Sequence, residues 1–287
     1  MLQLIRYRDS IEMAQARHQE LQLPREQAIQ LGNTAVHTSE IGAYRSPSGK
    51  LIEMEAWIAE ACEAKRSVPP EETLLAAAPP AFELTEVEIA NETTLQAGWD
   101  LVNRGFRPLA LNFANGLHPG GGFLSGSLAQ EETLCRSSAL YATLKGDPMY
   151  AHHLRQGGSD SSDWMILSPQ VPVFRQDDGT ELEAPWRLDF ITSAAPVAPY
   201  VGRARAAALL AQRIRRLLEI AQAFHYTELV LGAWGCGAFG NDPQETAQAF
   251  HQALSGPFSG AFRHIRFAIT DWSPKRRFLQ PFREVFE

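Results

Sequence analysis

Cysteine is scarce in this 287-residue chain: Cys62, Cys135 and Cys236 are odd in number, and none pairs with another at zinc-finger or redox spacing. That excludes a disulfide framework and a thiolate metal knuckle, and lone thiols fit a reducing compartment, so a cytoplasmic location is expected. Positive charge is also short. Against 33 Asp and Glu stand 26 Lys and Arg, a formal net charge of −7. No global field favours nucleic acid, and a polyanionic ligand has to be held by local donors. No stretch approaches the ~20 apolar residues of a membrane span. The first residues, Met-Leu-Gln-Leu-Ile-Arg-Tyr-Arg-Asp, lack the apolar core and cleavage site of a secretory leader. His118 and the pair His152-His153 lack the spacing and the cysteine or carboxylate partners of a metal site. There is no Gly-x-Ser-x-Gly elbow, internal repeat or low-complexity tract. What is present is 45% hydrophobic residues, enough for a sizeable core in one large domain or two small ones.

Residues 8 to about 34 and Leu51 to Lys65 favour amphipathic helices, and Val68-Pro69-Pro70 closes that region. Ala78-Pro79-Pro80 punctuates again, after which strand, helix and strand alternate at 82–89, 93–103 and 108–113, the signature of an α/β sheet. A helix is expected from the Gln-Glu-Glu at 130–132 to about Leu144, then a loop-rich stretch. Strands follow at 171–174 and 186–192, linked by a polar turn. The stripe Leu210, Ile214, Leu217, Ala221 and Phe224 makes 203–224 the clearest helix, and its arginines, including Arg213, Arg215 and Arg216, read as a solvated face. A strand at 228–231, a glycine-rich loop at 235–240, a helix at 244–254 and a strand at 264–270 complete the pattern.

Two stretches carry chemistry. In the first, Gly120-Gly121-Gly122 precedes Gln130-Glu131-Glu132 by seven residues. Successive glycines let backbone N–H groups approach a pyrophosphate, and carboxylates beside it suit acid–base work on whatever the pyrophosphate carries. Each piece also has a plain structural reading. The triplet can be an ordinary turn, and Ser127 to Gln130 fits a capping box with acidic residues complementing the helix dipole. Cys135 reads as a packing thiol. In the second stretch, Gly232 to Asp242, a glycine-rich loop follows a strand and precedes a helix, so two such loops can grip a diphosphate from both sides. It contains a literal G-x-G-x-x-G, Gly235 to Gly240, with Asp271 placed as a ribose-binding acid, so a dinucleotide oxidoreductase is an alternative. That fingerprint normally opens its nucleotide-binding unit, whereas here little more than a helix and a strand follow it.

Asn112-Phe-Ala-Asn115, the glycine triplet and Gln130-Glu131-Glu132 together resemble the signature of bacterial-type poly(ADP-ribose) glycohydrolases, a branch of the macrodomain superfamily. The similarity extends to Asn91-Glu-Thr-Thr, to Leu-Cys-Arg-Ser-Ser-Ala-Leu-Tyr at 134–141 and to Gly232-Ala-Trp-Gly-Cys-Gly-Ala-Phe-Gly-Asn, roughly residues 80 to 272. It implies an α/β fold, a macrodomain-like mixed sheet flanked by helices at 76–287, with an N-terminal helical extension at 1–75. It also implies roles. Gly120, Gly121 and Gly122, with Gly235, Cys236, Gly237, Ala238 and Phe239, would hold the diphosphate, and Asn115 and Phe239 would meet the distal ribose. Glu132 would be the catalytic acid and then the base, with Gln130 and Glu131 orienting ribose hydroxyls. Ala195 and Pro196 are weaker candidates for the pocket wall. The substrate would be poly(ADP-ribose), attacked at the chain end, with ADP-ribose and ADP-ribosylated proteins as partners and no cofactor or metal required. An acid role asks that burial or the diphosphate raise the pKa of Glu132 against the helix start. An ADP-ribose-binding reader and a hydrolase of single ADP-ribosyl marks are the rival readings.

Overall fold

A computed structural model describes residues 1–74 and 80–287. Among the described residues ten strands are formed: β1 (Leu2–Arg8), β2 (Ala43–Arg45), β3 (Leu51–Glu53), β4 (Arg66–Val68), β5 (Thr85–Ala90), β6 (Leu109–Phe113), β7 (Met165–Arg175), β8 (Glu181–Ser193), β9 (Glu228–Leu231) and β10 (His264–Ala268). Eight of them make one sheet in the order β1-β5-β10-β9-β6-β8-β7-β4, while β2 and β3 pair separately. From β1 to β8 every pairing is parallel; β7 and β4 are added antiparallel at one edge. The sheet is therefore mixed, as expected.

Helices cover both faces. On one side lie α9 (Arg203–Ala223), α10 (Pro243–Ser255) and α11 (Leu279–Phe286). Their Leu210, Ile214, Leu217, Phe250 and Phe282 pack in one core with Leu109, Leu111, Leu229, Leu231, Ile265 and Phe267 of the strands. The other side carries α3 (Glu55–Ala64), α4 (Thr94–Asn103), α5 (Gln130–Ser137), α6 (Leu140–Leu144) and α7 (Pro148–Gln156). Alternate strand residues Ala110, Val230 and Ala268 turn to that second core. The period of two along each strand thus sends neighbours to opposite layers. Remaining helices are α1 (Ile11–Leu21), α2 (Arg25–Ile41) and the single turn α8 (Ala198–Val201). Among the described residues no helix is long and apolar enough to cross a membrane.

Several elements differ from the sequence reading. The segment expected as a helical extension contributes α1 to α3 and also β1 and β4, the two edge strands, so the sheet is continuous across the proposed boundary at 75/76. That boundary, and most of Ala78-Pro79-Pro80, lie outside the described residues. The helix expected from 130 to 144 is broken at Ser138, which makes a bridge to Val173 and hydrogen-bonds Leu134 and Leu140. The stretch after Leu144 contains α7, capped by Asp147, which accepts from the Met149 N–H, and ended by Gly157 in the left-handed region. Arg213 is buried: it donates to the Ala194 carbonyl at 2.9 Å and pairs with Asp163. Of the named arginines, Arg215 alone is fully exposed; Arg216 bonds the carbonyls of Pro69 and Glu72.

Candidate active site

The C-terminal ends of the parallel strands β5, β10, β9, β6 and β8 open on one groove of about 1050 Å³. Crevices at such strand ends are where open α/β sheets take ligands. The loop after β6 and the start of α5 form one wall. The loop after β9 forms the other, and Leu21 at the end of α1 also lines the groove.

On the first wall the backbone is arranged around carboxylates. Glu131 is buried, accepting from the Asn115 N–H at 2.7 Å and from the Asn112 amide at 3.3 Å. Burial pushes its carboxyl up to about 8, and the neighbouring charge of Glu132 adds to this against the Asn115 amide. Glu132 is also buried. Its Oε1 accepts from the Gly122 N–H at 2.9 Å, while Oε2 has no hydrogen-bond partner. An unsatisfied buried carboxylate oxygen is costly, and here it belongs to a residue that lines the groove. Gly120 and Gly121 have φ of 72° and 56°, and a Cβ on Gly121 would strike the Glu132 carboxylate. Gly121 is glycine because the chain must wrap this closely around the acid, while a Cβ on Gly120 would strike Phe123 and one on Gly122 would strike Ser127.

The amides of the triplet are not free in this structure: Gly122 is engaged with Glu132, Gly121 with the His118 carbonyl, and Gly120 toward Glu131. The capping-box reading fails. Helix α5 starts at Gln130 with Ala129 as N-cap and no side-chain cap. Gln130 reaches the other way, accepting from the Phe113 N–H at 2.8 Å and donating to the Leu111 carbonyl at 2.7 Å and to Thr94 at 3.0 Å. It staples α5 to the end of β6, so its amide is committed to the protein and not to ribose hydroxyls. Asn115 lines the groove with its Oδ1 closing a turn on the Leu117 and His118 amides.

The second wall is different. Among the described residues, the amides of Gly235, Gly237, Ala238 and Phe239 have no protein acceptor, and all four residues line the groove. This is a concave run of free N–H donors, the kind of site that takes an anion. Cys236 is the exception. Its amide bonds the Ala233 carbonyl, its thiol turns to Thr246 of α10, and burial pushes that thiol up to about 12. The loop is tied down by Asn241, which donates to the carbonyls of Pro196 and Gly235 at 2.8 and 3.1 Å. Ala195 lines the groove; Pro196 serves through that carbonyl.

Sequence reasoning missed several lining residues. Glu92 is fixed by a two-point contact from Arg266 at 2.6 and 2.8 Å and by Arg8 at 2.8 Å. Asp177, in the turn between β7 and β8, is buried, accepts from Thr93 at 2.7 Å, and is pushed by burial up to about 7. Trp272 lines the groove and packs against His18 of α1, with ring centres 5.0 Å apart and the planes tilted by 49°. Only Glu92 and Thr93 stood inside a recognised motif; Asp177 and Trp272 come from a turn and from the loop between β10 and α11, which no local pattern marks. Cys135 is buried beneath the carboxylates, its thiol raised well above the ordinary value by burial. Among the described residues no three His, Cys, Asp or Glu side chains are grouped to hold a metal ion.

Residues 33–176 match the family model "Microbial-type PARG, catalytic domain". The chain belongs to the microbial-type poly(ADP-ribose) glycohydrolase family. Among solved structures, the enzyme of Thermomonospora curvata superposes with a TM-score of 0.85 at 41% identity, covering 91% of this chain and 100% of that one. The same enzyme bound to the inhibitor ADP-HPD gives 0.83 at 40%, with 90% and 99% covered. The poly(ADP-ribose) glycohydrolase of Deinococcus radiodurans in complex with ADP-ribose gives 0.75 at 37%, with 82% and 99% covered. No curated protein matches the chain. Membership in this glycohydrolase family makes the chain a glycosidase, and the dinucleotide oxidoreductase reading of the second loop is set aside.

Proposed function

We propose that this enzyme releases ADP-ribose from the end of a poly(ADP-ribose) chain by hydrolysing the ribose–ribose bond. One observation carries the reading: in a member of this family, Glu132, whose buried Oε2 has no hydrogen-bond partner, lines a groove that is also lined by a run of free amides. The amides of Gly235, Gly237, Ala238 and Phe239 take the diphosphate, which places the distal ribose toward Asn115 and the carboxylates. Trp272 and Phe278, aromatic rings on the groove wall, receive the adenine at the other end.

Chemistry needs one proton delivered and one removed. Burial keeps a proton on the Glu131 carboxyl, beside Glu132, at neutral pH. Glu132 Oε2 passes the proton to the departing 2′-oxygen as the ribose takes on oxocarbenium character. Its carboxylate then draws a proton from the attacking water. Glu131, bonded to the Asn115 N–H, holds the loop and stores the proton. Gln130, stapled to β6, positions the helix start. Proteins carrying ADP-ribose chains are the physiological partners, and three unpaired cysteines fit action in the cytoplasm.

The test follows free ADP-ribose released from defined polymer by the wild type and by Glu132→Gln, with ADP-ribose binding measured for both. The variant should bind normally and lose about 10²–10⁴ in rate, the range for a positioned general acid. Near-full turnover by the variant would sink the assignment of Glu132. Binding without release by the wild type would favour a reader or a hydrolase of single marks.

A further inference from the structure

The loop that carries Asn115 is braced from behind by a residue that does not line the groove. His153, buried on α7, places Nδ1 2.8 Å from the Gly116 carbonyl oxygen and Nε2 2.6 Å from the Ser162 hydroxyl. The Ser162 backbone N–H donates to Nε2 at 3.1 Å. A carbonyl oxygen only accepts, so Nδ1 carries the proton and Nε2 is the acceptor. The neutral ring is fixed at both ends.

This contact joins two loops at the site. Gly116 is packed so closely that a Cβ there would strike Ser161 and come within 3.1 Å of the Ala194 Cβ. Segment 157–164 is in turn bound to the end of β8, because the Val197 N–H donates to the Ser159 carbonyl at 3.0 Å and Arg213 bridges the carbonyls of Ala194 and Asp160. One residue before Gly116, the Asn115 N–H holds Glu131. The path from His153 to the acid pair is therefore short and runs through backbone.

We propose that His153 is a positioning residue for the hydrolysis, setting the Asn115–Gly116 end of the ribose loop by donating its Nδ1–H to the Gly116 carbonyl. The inference rests on the glycohydrolase reading above. Two consequences follow. The diphosphate seat at 235–239 makes no hydrogen bond to His153 or Gly116, so loss of the contact lowers kcat and spares affinity for ADP-ribose. Protonation at Nε2 replaces an acceptor by a donor facing the Ser162 N–H, so the brace loosens as pH falls. Burial holds the ring below its ordinary pKa, with His152 on α7 and Arg213 on α9 acting in the same direction. The carboxylates of the adjoining segment, Asp160 and Asp163, are paired with Arg205 and Arg213.

The experiment compares full-length wild type, His153→Asn and His153→Phe for kcat on poly(ADP-ribose), affinity for ADP-ribose, melting temperature and the acid limb of kcat. Asparagine sets an amide donor where Nδ1 lies and cannot be protonated; phenylalanine keeps the ring and removes both nitrogens. His153→Phe should lose on the order of 10–100-fold in kcat, the scale of a small misplacement of reacting groups, with ADP-ribose affinity kept. His153→Asn should restore kcat and shift the acid limb to lower pH. Wild-type kcat in His153→Phe overturns the proposal, and so does a parallel loss of kcat, affinity and melting temperature that asparagine does not rescue. Should His153→Phe fail to fold, an acid limb unchanged in His153→Asn overturns it. A wild type that binds ADP-ribose and releases none fails the glycohydrolase reading instead.

Discussion

At the residue scale, the two carboxyls that neighbour each other in sequence are separated by their surroundings. Glu131 is enclosed, and its raised carboxyl has a thermodynamic consequence. A carboxyl whose folded value lies near 8 against an ordinary 4.5 binds its proton more tightly in the folded than in the unfolded state, so folding takes up a proton between those values. Stability from this group is full below about pH 4.5 and falls by up to about 1.4 kcal/mol per pH unit as pH rises to 8. Asp177, raised to about 7 by burial, has the same sign. Glu88 has the opposite one: the hydrogen bond to His264, helped by Arg266 and Arg104, lowers its carboxyl to about 2, so its contribution is present above 4.5 and is lost toward pH 2. Melting temperatures of wild type and Glu131→Gln between pH 5 and 8 check this. The variant should gain relative to wild type as pH rises, and a constant difference between the two across that window would refute the raised value. Asp177→Asn should behave likewise over a narrower span, ending near pH 7.

At the element scale, what could be read from the chain was what repeats. Leu210, Ile214 and Leu217 recur at helical spacing, and α9 appears within one residue of its expected end. Leu217→Ala should therefore cost about 2–5 kcal/mol, as large-to-small changes in a packed core do, while ADP-ribose affinity stays unchanged, which denaturant melts and a binding titration would show. Elements with few buried residues escaped. β1 is an edge strand with no fully buried residue, and α7 buries only Met149, Tyr150 and His153. The caps of α7, Asp147-Pro148 and Gly157, were there to be read. Site positions were legible where glycine and acid types are required, but the partners of their hydrogen bonds were not. Gln130 fits a cap by local spacing and is drawn to β6 by tertiary contacts. Nor could spacing reveal that the first glycine loop spends its amides on carboxylates while the second keeps them free. That difference predicts unequal outcomes. Gly235 has φ of 75°, and a Cβ there would strike Asn241 and Ala195. Gly235→Ala should distort the anion seat and weaken ADP-ribose binding by at least about tenfold, the loss of one or two charge-assisted hydrogen bonds at 1.5–3 kcal/mol each. Normal affinity in that variant would remove the loop from the diphosphate site.

At the scale of the whole molecule, an acidic protein holds a polyanion. Among the described residues lining the groove Arg277 is the one lysine or arginine, set against Glu92, Glu131, Glu132, Asp177 and Asp271. Attraction at a distance cannot bring the polymer in, because the chain carries −7 overall and repels it. On the seating proposed above, affinity arises at contact, from uncharged amides and ring surfaces that displace few bound counterions. Salt dependence distinguishes this arrangement from a cationic track. Neutralising six to ten phosphates with Lys and Arg costs about 10³–10⁵ in affinity between 50 and 200 mM salt, whereas one cation corresponds to a slope of only about −1 on logarithmic axes. For this enzyme kcat/KM on poly(ADP-ribose) should change by no more than a few-fold over that range, since screening weakens the repulsion about as much as it weakens Arg277. A fall of a hundredfold would mean that the polymer is held by cations outside the groove, and that the amides at 235–239 do not supply most of its grip. Arg277→Ala separates the two contributions, because it should remove what little negative slope remains and leave the repulsion alone to set the trend.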